Sequence, residues 1–408
     1  MLTDPVYLDY HATTPVDPRV LEAMLPFFTE RFGNPHSKQH PFGWDARDAT
    51  DKARAQVAAL INATAGEITF TGGATESSNL AIKGAVAAAR RGLAADASAK
   101  AAQGSEARSA TAANHVVTVA TEHRSVLDVC LQFREQGLDV TVLGVDAGGL
   151  VDLDALRAAM TPRTILVSVM AANNEIGTIQ PLAAIGLIAR EHGVLFHTDA
   201  AQAAGKIPLD VRAMHIDLLS MTAHKFYGPK GCGALFVRRA KPRLPLVPQL
   251  AGGGQENGLR SGTLNVPGIV GLGRAAEICR LEMADEGRRL GALRDRLLAG
   301  LRAAMADVRV NGSLEHRLPH NLHVSFDGVE GEALLMALGD LAVSTGSACA
   351  SGSQKLSHVM EAIGASSDRA GASIRFGLGR TTTAADIEFA IDRVSTVVAA
   401  LRRQVGTL

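Results

Sequence analysis

The sequence contains little of what several classes of protein depend on. It has four cysteines in 408 residues, and aromatic residues make up 4% of the chain. The cysteines are widely spaced and form no C-x-x-C pair, which excludes the common zinc and dithiol motifs. The few aromatic residues leave little material for stacking on nucleic-acid bases. The 41 basic residues are matched by 41 acidic ones, so the chain also lacks the basic surplus of a nucleic-acid-binding protein.

Long apolar runs are also missing. No uncharged apolar run reaches the ~18 residues that a membrane span requires. The first residues, MLTDPVYLDYHATTP, lack the basic and apolar regions of a secretory signal. Scattered cysteines without a disulfide framework are typical of a reducing compartment. We therefore expect a cytoplasmic protein that binds neither membranes nor nucleic acids.

Apolar residues are plentiful, at 47% of the chain, and can form a sizeable core. Short β-branched runs alternate with longer helical patterns, which predicts an α/β fold with a mostly parallel, seven-stranded sheet. The expected strands are Glu67–Thr71, Val116–Ala120, Val140–Leu143, Ile165–Val169, Val194–Thr198, Leu218–Met221 and Ala234–Val237. The expected helices between them are Glu76–Arg91, Ser125–Glu135, Leu153–Met160 and Leu182–Glu191.

The pattern changes at about Gly268, where a long helical run begins that ends near Met305. Two strand-like runs, Asn321–Phe326 and Ser373–Phe376, and a last helix, Ala384–Arg403, follow it. We therefore predict a large domain over residues 16–265 and a smaller α+β domain over residues 266–408, with residues 1–15 packing against the smaller one. Residues 93–114 are rich in Ala and Ser and lack an apolar stripe, so we expect a mobile surface insertion there, with a functional lid as the alternative.

Two motifs near the middle of the chain suggest a cofactor. HTDAAQ places Asp199 at the end of an apolar strand, and MTAHKFYGPKG places Lys225 just past the next strand. A carboxylate and a lysine on neighbouring strand ends suit pyridoxal phosphate: the lysine bonds to the cofactor, and the carboxylate keeps its pyridine nitrogen protonated. The alternative is a surface lysine beside a helix-capping aspartate.

Other strand ends carry polar groups of the same kind. FTGGATES ends a strand, turns on two glycines and begins a helix, which is a phosphate-binding arrangement as well as an ordinary helix start. TEHRSVLD places His123 after a strand, where it could stack on a planar ring, and NNEIGTIQP offers Asn174. The loop GGGQENGLRSGT adds Arg260 and Thr263 as further candidates for a phosphate. The G-x-G-x-x-A pattern that starts at Gly271 is better explained by helix packing, because no clean strand precedes it.

Two residues near the C-terminus suggest a substrate site. Cys349 lies in STGSACASGS among small residues that cannot bury it, which is typical of a nucleophile that moves, with an idle loop thiol as the alternative. Arg375 lies in a strand-like run and could bind a carboxylate through two parallel hydrogen bonds.

These segments together resemble the cysteine desulfurases of the class V aminotransferase superfamily, which have the pyridoxal-phosphate fold type I. The resemblance covers Tyr7–Thr383, and its motifs occur in order as FGNPHS, GATES, TEHRSVLD, NNEIG, DAAQ, HKFYGPKG, RSGT and GSACAS. GSACAS with the long loop after it is similar to the group that supplies iron–sulfur cluster assembly. The sequence departs from the family in having Thr222 where serine is frequent, GGGQENG where some members have GGGHERG, and the 93–114 insertion.

The resemblance implies a role for each matching position. Lys225 would hold the cofactor covalently, His123 would stack on the ring and shuttle protons, and Asp199 would pair with the pyridine nitrogen. Gln202 and Asn174 would contact the ring hydroxyl. The residues assigned to the phosphate are Ala74, Thr75, Thr222, His224 and, from the other subunit of a homodimer, Thr263.

For the substrate, the resemblance implies that Arg375 and Asn174 bind L-cysteine and that Cys349 attacks its sulfur. The products would be L-alanine and a persulfide on Cys349, from which sulfur passes to acceptor proteins such as an iron–sulfur cluster scaffold. No resident metal is expected, although Cys349 could transiently ligate a nascent cluster. The alternatives are a selenocysteine lyase, a class V aminotransferase and a binding module that has lost its cofactor, although Lys225, Asp199 and His123 argue against the last.

Overall fold

The computed structural model describes residues 5–102, 113–239, 244–345 and 356–405, with backbone alone over 93–102 and at 405. Its strands are β1 Val6–Tyr7, β2 Ile68–Thr71, β3 His115–Val119, β4 Asp139–Leu143, β5 Thr164–Ser168, β6 Leu195–Asp199, β7 Leu218–Thr222, β8 Gly233–Val237, β9 Val308–Val310, β10 Asn321–Phe326, β11 Leu341–Ala342 and β12 Ser373–Gly377. Its α-helices are α1 Pro18–Met24, α2 Pro26–Thr29, α3 Pro41–Leu60, α4 Ala74–Ala102, α5 Arg124–Glu135, α6 Leu153–Ala159, α7 Leu182–Glu191, α8 Val266–Ala304, α9 Gly331–Ala337, α10 His358–Ala362, α11 Ser367–Gly371 and α12 Ala384–Val405.

The main sheet has seven strands in the order β2-β8-β7-β6-β5-β3-β4. The five strands β7, β6, β5, β3 and β4 are parallel to one another, whereas β8 is antiparallel to both β2 and β7. The predicted mostly parallel sheet is therefore confirmed. Every strand that we predicted for this sheet is present within one or two residues of its expected bounds.

Helices cover both faces of this sheet, because its strands are apolar on both sides. Alternate residues face opposite ways: Val117 packs into a core with α3, α6, α7 and the start of α8, whereas Val116 packs into a core with α4 and α5. Leu219 and Leu218 divide in the same way. The sheet is thus a buried central layer, and its strand ends are the places where polar side chains can reach a cavity.

A second core lies in the C-terminal part of the chain. The antiparallel sheet β12-β10-β9 packs with α12 and with the end of α8, and Leu8 from the N-terminal segment packs into the same core. The segment also forms a parallel pair, β1 with β11. Since α8 begins in the first core and ends in this one, the domain boundary between residues 265 and 266 stays a prediction.

Helices α3 and α8 make a close contact that explains the glycine pattern of α8. A Cβ atom at Gly273 would lie 2.5 Å from the Cα of Ala53 on α3, and a Cβ at Gly271 would lie 2.5 Å from the sulfur of Met24. Neither distance is possible for real atoms. The G-x-G-x-x-A pattern therefore belongs to helix packing, as the sequence indicated.

Two helices are unusually long. Helix α4 has 29 residues and continues to Ala102, so our prediction that this helix ends at Arg91 is wrong, whereas the mobility of the 93–114 insertion stays a prediction. Ala has the highest helix propensity, and the segment LAADASAKAA contains no Gly or Pro that would end the helix. Residues 103–112 of the predicted insertion lie outside the described residues. Helix α8 has 39 residues, but within the described ranges no helix is apolar over a length that would cross a membrane.

An ion pair closes the free edge of the main sheet at β2. Glu256 accepts hydrogen bonds from both terminal nitrogens of Arg54, each at 2.7 Å, and from the backbone N–H of Phe70 at 2.8 Å. Arg54 also donates to the carbonyl of Ile68 at 2.7 Å. Backbone groups that would otherwise face outward at an edge strand are therefore satisfied by side chains.

We expect Glu256→Ala to lower the free energy of unfolding by about 3–5 kcal/mol, because the loss of one partner leaves the other charge of a buried pair uncompensated. Glu388 pairs with Arg296 where both side chains are more than half exposed, so the control Glu388→Ala should cost less than about 1 kcal/mol. Chemical denaturation of both variants measures the difference. Equal losses would show that the pair at β2 does not stabilise the sheet edge.

Candidate active site

The carboxyl ends of the parallel strands open on a cavity of about 990 Å³. This is the edge at which open α/β sheets bind ligands. The predicted site residues that line it are Ala74, Thr75, His123, Asn174, Asp199, Gln202, Thr222, His224, Lys225 and Arg375. Residues that are distant in sequence therefore form one site.

Lys225 ends a short 3-10 turn, Ala223–Lys225, that follows β7 directly. Its Nζ donates hydrogen bonds to the carbonyl of His11 and, at 2.9 Å, to that of Ala12. The backbone of the N-terminal segment holds this turn through Thr14, whose N–H donates to the carbonyl of His224 at 2.9 Å. Neutral carbonyl groups thus hold the lysine amine at the cavity.

Asp199 is buried at the end of β6, where its Oδ1 accepts the backbone N–H of Ala201 at 2.9 Å. Burial raises the pKa of Asp199, and the nearby charges of His123 and Lys225 act in the opposite direction. A cationic nitrogen placed against this carboxylate would lower the pKa of Asp199 and so favour its ionised form. Asp199 therefore suits the protonated nitrogen of a pyridine ring.

A second buried carboxyl lies close to Asp199. Glu122 accepts the backbone N–H of Met170 at 2.6 Å through Oε1, and among the described residues its Oε2 has no hydrogen-bond partner. Burial, and then the charge of Asp199, hold the pKa of Glu122 well above its usual range. Burial and the like charge of Asp199 therefore both disfavour the ionised form of Glu122.

The other end of the cavity is suited to a phosphate. Gly73, with φ at 152°, makes the turn between β2 and α4, so the first N–H groups of α4 at Ala74 and Thr75 face the cavity. A Cβ atom on Gly73 would lie 3.7 Å from the Thr222 hydroxyl, which places that hydroxyl beside the turn. Burial, and then the charge of Lys225, lower the pKa of His224 to about 4, so its ring is neutral.

His123 is the N-cap of α5. The backbone N–H of Ser125 donates to His123 Nδ1 at 3.1 Å, and the Ser125 hydroxyl lies 2.8 Å from the same atom. Because Nδ1 is an acceptor here, the proton of the neutral ring lies on Nε2. Its ring lines the same cavity as Lys225, as a group that stacks on a cofactor ring or carries a proton must.

Arg375 on β12 is buried and already has partners. Its Nη2 pairs with Asp9 Oδ1 at 2.7 Å, and its Nη1 donates to the carbonyl of Asn174 at 2.8 Å. The Ser344 hydroxyl donates to the same Asp9 oxygen at 3.2 Å. The guanidinium is therefore fixed in orientation before any carboxylate binds.

The predicted site residue Thr263 is exposed and does not line the cavity. Cys349 lies outside the described residues. The chain on either side of that gap contacts the site, since Ser344 bridges to Arg375 and the Ser357 hydroxyl donates to Glu175 at 2.5 Å.

Arg260, a further candidate for a phosphate, does not line the cavity in the single chain, and its contact with a phosphate stays a prediction. It pairs with Glu76 at 2.8 Å, and among the described residues that line the cavity Glu76 is present and Arg260 is not. A carboxylate within reach binds the guanidinium in preference to solvent. In the single chain, Arg260 fixes the Gly-rich loop against the start of α4.

Sequence reasoning missed Asp9, His11, Glu122 and Glu175. Asp9 and His11 come from the N-terminal segment, far from any strand of the main sheet, and only the tertiary fold brings them to the cavity. Glu122 and Glu175 were inside motifs that we had identified, next to His123 and Asn174. A glutamate in the segment that follows a strand, next to a residue already assigned to the site, was the available signal.

This donor set fits pyridoxal phosphate. The cavity is lined by a lysine amine and by a buried carboxylate that suits a ring nitrogen. The amide groups of Gln202 and Asn174 suit a ring oxygen, and a helix N-terminus with hydroxyl groups suits the phosphate. The aminotransferase class-V family model matches residues 6–389.

Known proteins that are similar in sequence or structure support the assignment of this cavity to pyridoxal phosphate. A relative from Methylococcus capsulatus, named cysteine desulfurase IscS, is 56% identical over 398 residues, which cover 98% of this chain and 93% of the relative. A solved NifS-like protein has a TM-score of 0.85 at 36% identity and covers 97% of this chain and 100% of its own. A structure described as SspA in complex with cysteine has a TM-score of 0.74 at 35% identity, covering 91% of this chain and 98% of its own. On these matches, this chain belongs to the aminotransferase class-V family.

Proposed function

We propose that this protein is a pyridoxal-phosphate-dependent cysteine desulfurase, which converts L-cysteine to L-alanine and transfers the sulfur to its own Cys349 as a persulfide. The observation that carries the proposal is the placement of Lys225 and Asp199 on neighbouring strand ends of one cavity that also has a phosphate cradle. The high identity to a relative named cysteine desulfurase supports the same reaction.

The residues that line the cavity have different roles in the proposed reaction. When bound, pyridoxal phosphate supplies an electron-withdrawing ring that labilises bonds of the attached amino acid. Lys225 is the amine that bonds to the cofactor and exchanges with the substrate amine, and Asp199 holds the proton of the ring nitrogen. His123 would stack on the ring and would carry protons on Nε2. Arg375 binds the carboxylate of L-cysteine beside Asn174.

The sulfur step needs a thiolate that the cofactor does not provide. The Cys349 thiolate bonds to the sulfur of the bound L-cysteine, the carbon–sulfur bond breaks with its electron pair going to carbon, and a proton on that carbon completes L-alanine. The other cysteines do not suit this step, because they are buried, and burial raises the pKa of both Cys130 and Cys232 to about 12. The same cause raises the pKa of Cys279.

The persulfide is then passed to acceptor proteins, such as a scaffold for iron–sulfur cluster assembly. Because the cycle requires Cys349 as a free thiol at its start, we place the activity in the reducing cytoplasm. The alternatives are a selenocysteine lyase and an aminotransferase with the same fold, and the activity test below distinguishes them from a cysteine desulfurase.

We also propose that the active form is a homodimer. Aromatic and aliphatic side chains on α1, on α2, in the segment after α2 and at the start of α3 are exposed in the single chain, among them Phe32 at 65% and Phe28 at 58%. This surface adjoins the Thr263 loop, because the buried Phe27 packs on Val266, three residues after Thr263. A second copy that covers the surface would bring its Thr263 to the phosphate end of the cavity.

The first expected outcome concerns the reaction. With L-cysteine the protein should release L-alanine and carry a persulfide on Cys349 by mass spectrometry. Cys349→Ser should keep the visible colour of the bound cofactor and its spectral change on adding L-cysteine, yet release almost no alanine, since a hydroxyl is a poor nucleophile toward sulfur. The control Lys225→Ala should lose the colour of the covalent link.

Three results would contradict this assignment. Full turnover in Cys349→Ser, or a persulfide on Cys130, Cys232 or Cys279, would exclude Cys349 as the sulfur acceptor. Much faster turnover of L-selenocysteine than of L-cysteine would indicate a lyase. Amino transfer that depends on a keto acid would indicate an aminotransferase.

A second outcome concerns the substrate carboxylate. Arg375→Lys removes the planar fork, so KM for L-cysteine should rise by roughly tenfold to a hundredfold, which corresponds to the ~1.5–3 kcal/mol of a charge-assisted hydrogen bond. Arg369→Lys is the control, because Arg369 contacts Asn311 and the carbonyl of Val310 away from the cavity. Steady-state kinetics compare the two, and an unchanged KM in Arg375→Lys would show that another residue holds the carboxylate.

A third outcome concerns the dimer. Phe32→Asp with Phe42→Asp, whose rings lie 5.4 Å apart, should convert the protein to monomers in sedimentation experiments and weaken retention of the cofactor. Met336→Asp is the control, since Met336 is 79% exposed on α9 and distant in sequence from this surface. A double variant that stays dimeric would place the subunit interface elsewhere.

A further inference from the structure

A chain of hydrogen bonds runs below the cavity, and its direction is fixed at one end by an arginine. Arg317 is buried and can only donate, and its Nη1 donates to Asn321 Oδ1 at 2.7 Å. The Asn321 amide nitrogen must therefore be the donor in its two other contacts. These are with the carbonyl of Glu175 and with His11 Nε2, each at 3.0 Å.

This arrangement determines the tautomer of His11. Since Nε2 accepts from Asn321, the proton of the neutral ring lies on Nδ1, and Nδ1 donates to Gln202 Oε1 at 2.9 Å. His11 is 1% exposed, and burial followed by the charge of Arg375 holds its pKa well below the usual range. Lys225 and Lys206 act in the same direction. The His320 ring is stacked on His11 with centroids 4.4 Å apart, and burial holds its own pKa well below the usual range. The contact in which His11 Nε2 accepts requires a neutral His11 ring.

The orientation of the Gln202 amide follows from the tautomer. Its oxygen is used by His11 Nδ1, and its nitrogen donates one hydrogen to the backbone carbonyl of His11 at 3.1 Å. A flipped amide would set N–H against N–H and oxygen against oxygen at these two contacts. Gln202 lines the cavity, so the group that it leaves for a ligand is its second N–H.

We propose that His11 is a positioning residue which, with Asn321 and Arg317, makes Gln202 a hydrogen-bond donor to the cavity and so favours an anionic ring oxygen on the bound cofactor. The inference rests on the proposed cofactor, and it concerns a residue that does not itself touch that group. A donor stabilises the deprotonated oxygen more than the neutral one, because a hydrogen bond to a charged partner is the stronger of the two. Loss of the donor should therefore make the chromophore harder to deprotonate.

The test is a pH titration of the visible absorption of the bound cofactor in the absence of substrate. In His11→Ala the midpoint should rise by about one unit, which is tenfold in the proton-binding constant. Gln202→Glu removes the donor itself and should shift the midpoint at least as far in the same direction. Retention of the cofactor during dialysis is a second readout that does not depend on turnover.

Two further variants separate positioning from a merely structural role. An asparagine side chain can place an N–H where His11 has Nδ1, whereas a glutamine side chain reaches the place of Nε2. His11→Asn should therefore return the midpoint most of the way to that of the unchanged protein, and His11→Gln should behave like His11→Ala. This comparison remains decisive if His11→Ala does not fold, because both replacements are polar amides.

Each result has one meaning. A midpoint that stays unchanged in His11→Ala and His11→Gln while Gln202→Glu shifts it would overturn the inference. So would equal shifts in His11→Asn and His11→Gln, which would indicate a general effect of altered packing. If the unchanged protein shows no cofactor absorption that depends on Lys225, the proposed function fails instead, independently of His11.

Discussion

The register between β6 and β7 is the constraint on which the site depends. These strands are parallel, and Asp199 lies opposite Ser220, so the chain that leaves β7 reaches Lys225 within one short turn. A slip of one residue would turn Asp199 to the other face of the sheet and separate it from the cavity. The apolar neighbours on both faces prevent that slip, because it would exchange residues such as Leu218 and Leu219 between two differently shaped cores. The hydrophobic pattern of the strands thus positions the polar chemistry at their ends.

The N-terminal segment joins this sheet edge to the C-terminal core. Tyr10 and Leu8 exchange backbone hydrogen bonds with Gly377 at the end of β12, at 3.1 and 2.7 Å. A Cβ atom at Gly377 would lie 2.9 Å from the backbone nitrogen of His11, so only glycine allows this approach. The same segment holds Lys225 on one side and, through Asp9, Arg375 on the other. One short stretch of chain therefore keeps Lys225 and Arg375 in a fixed spatial relation.

Much of this could be predicted from sequence because it depends on local patterns. The strands of the main sheet follow from β-branched runs, and Asp199, His123 and Asn174 follow from their positions after those runs. The helix α3 was not predicted, although Pro41 begins it, because its hydrophobic stripe is interrupted by charged residues. The extension of α4 to Ala102 was not predicted, because residues 93–102 lack the apolar stripe on which the helix prediction depended.

The residues that sequence could not supply are those whose contacts join distant segments. His11 contacts Gln202 and Asn321 across separations of 191 and 310 residues, and nothing in DYHATTP specifies such partners. Arg260 was assigned to a phosphate by the composition of its loop, which gave no indication of its ion pair with Glu76. Sequence motifs predict which functional groups line the cavity, but tertiary contacts determine the orientation of each group.

The two buried carboxyls beside the ring site show how orientation and charge combine. If Glu122 and Asp199 were both ionised, like charges would face each other in a medium that screens them poorly. Burial and the charge of Asp199 hold the pKa of Glu122 well above its usual range, which disfavours its ionised form. Burial also raises the pKa of Asp199, while the charges of His123 and Lys225 oppose that rise. A protonated ring nitrogen and an ionised Asp199 each make the other more favourable, so binding of the cofactor and ionisation of Asp199 are thermodynamically linked.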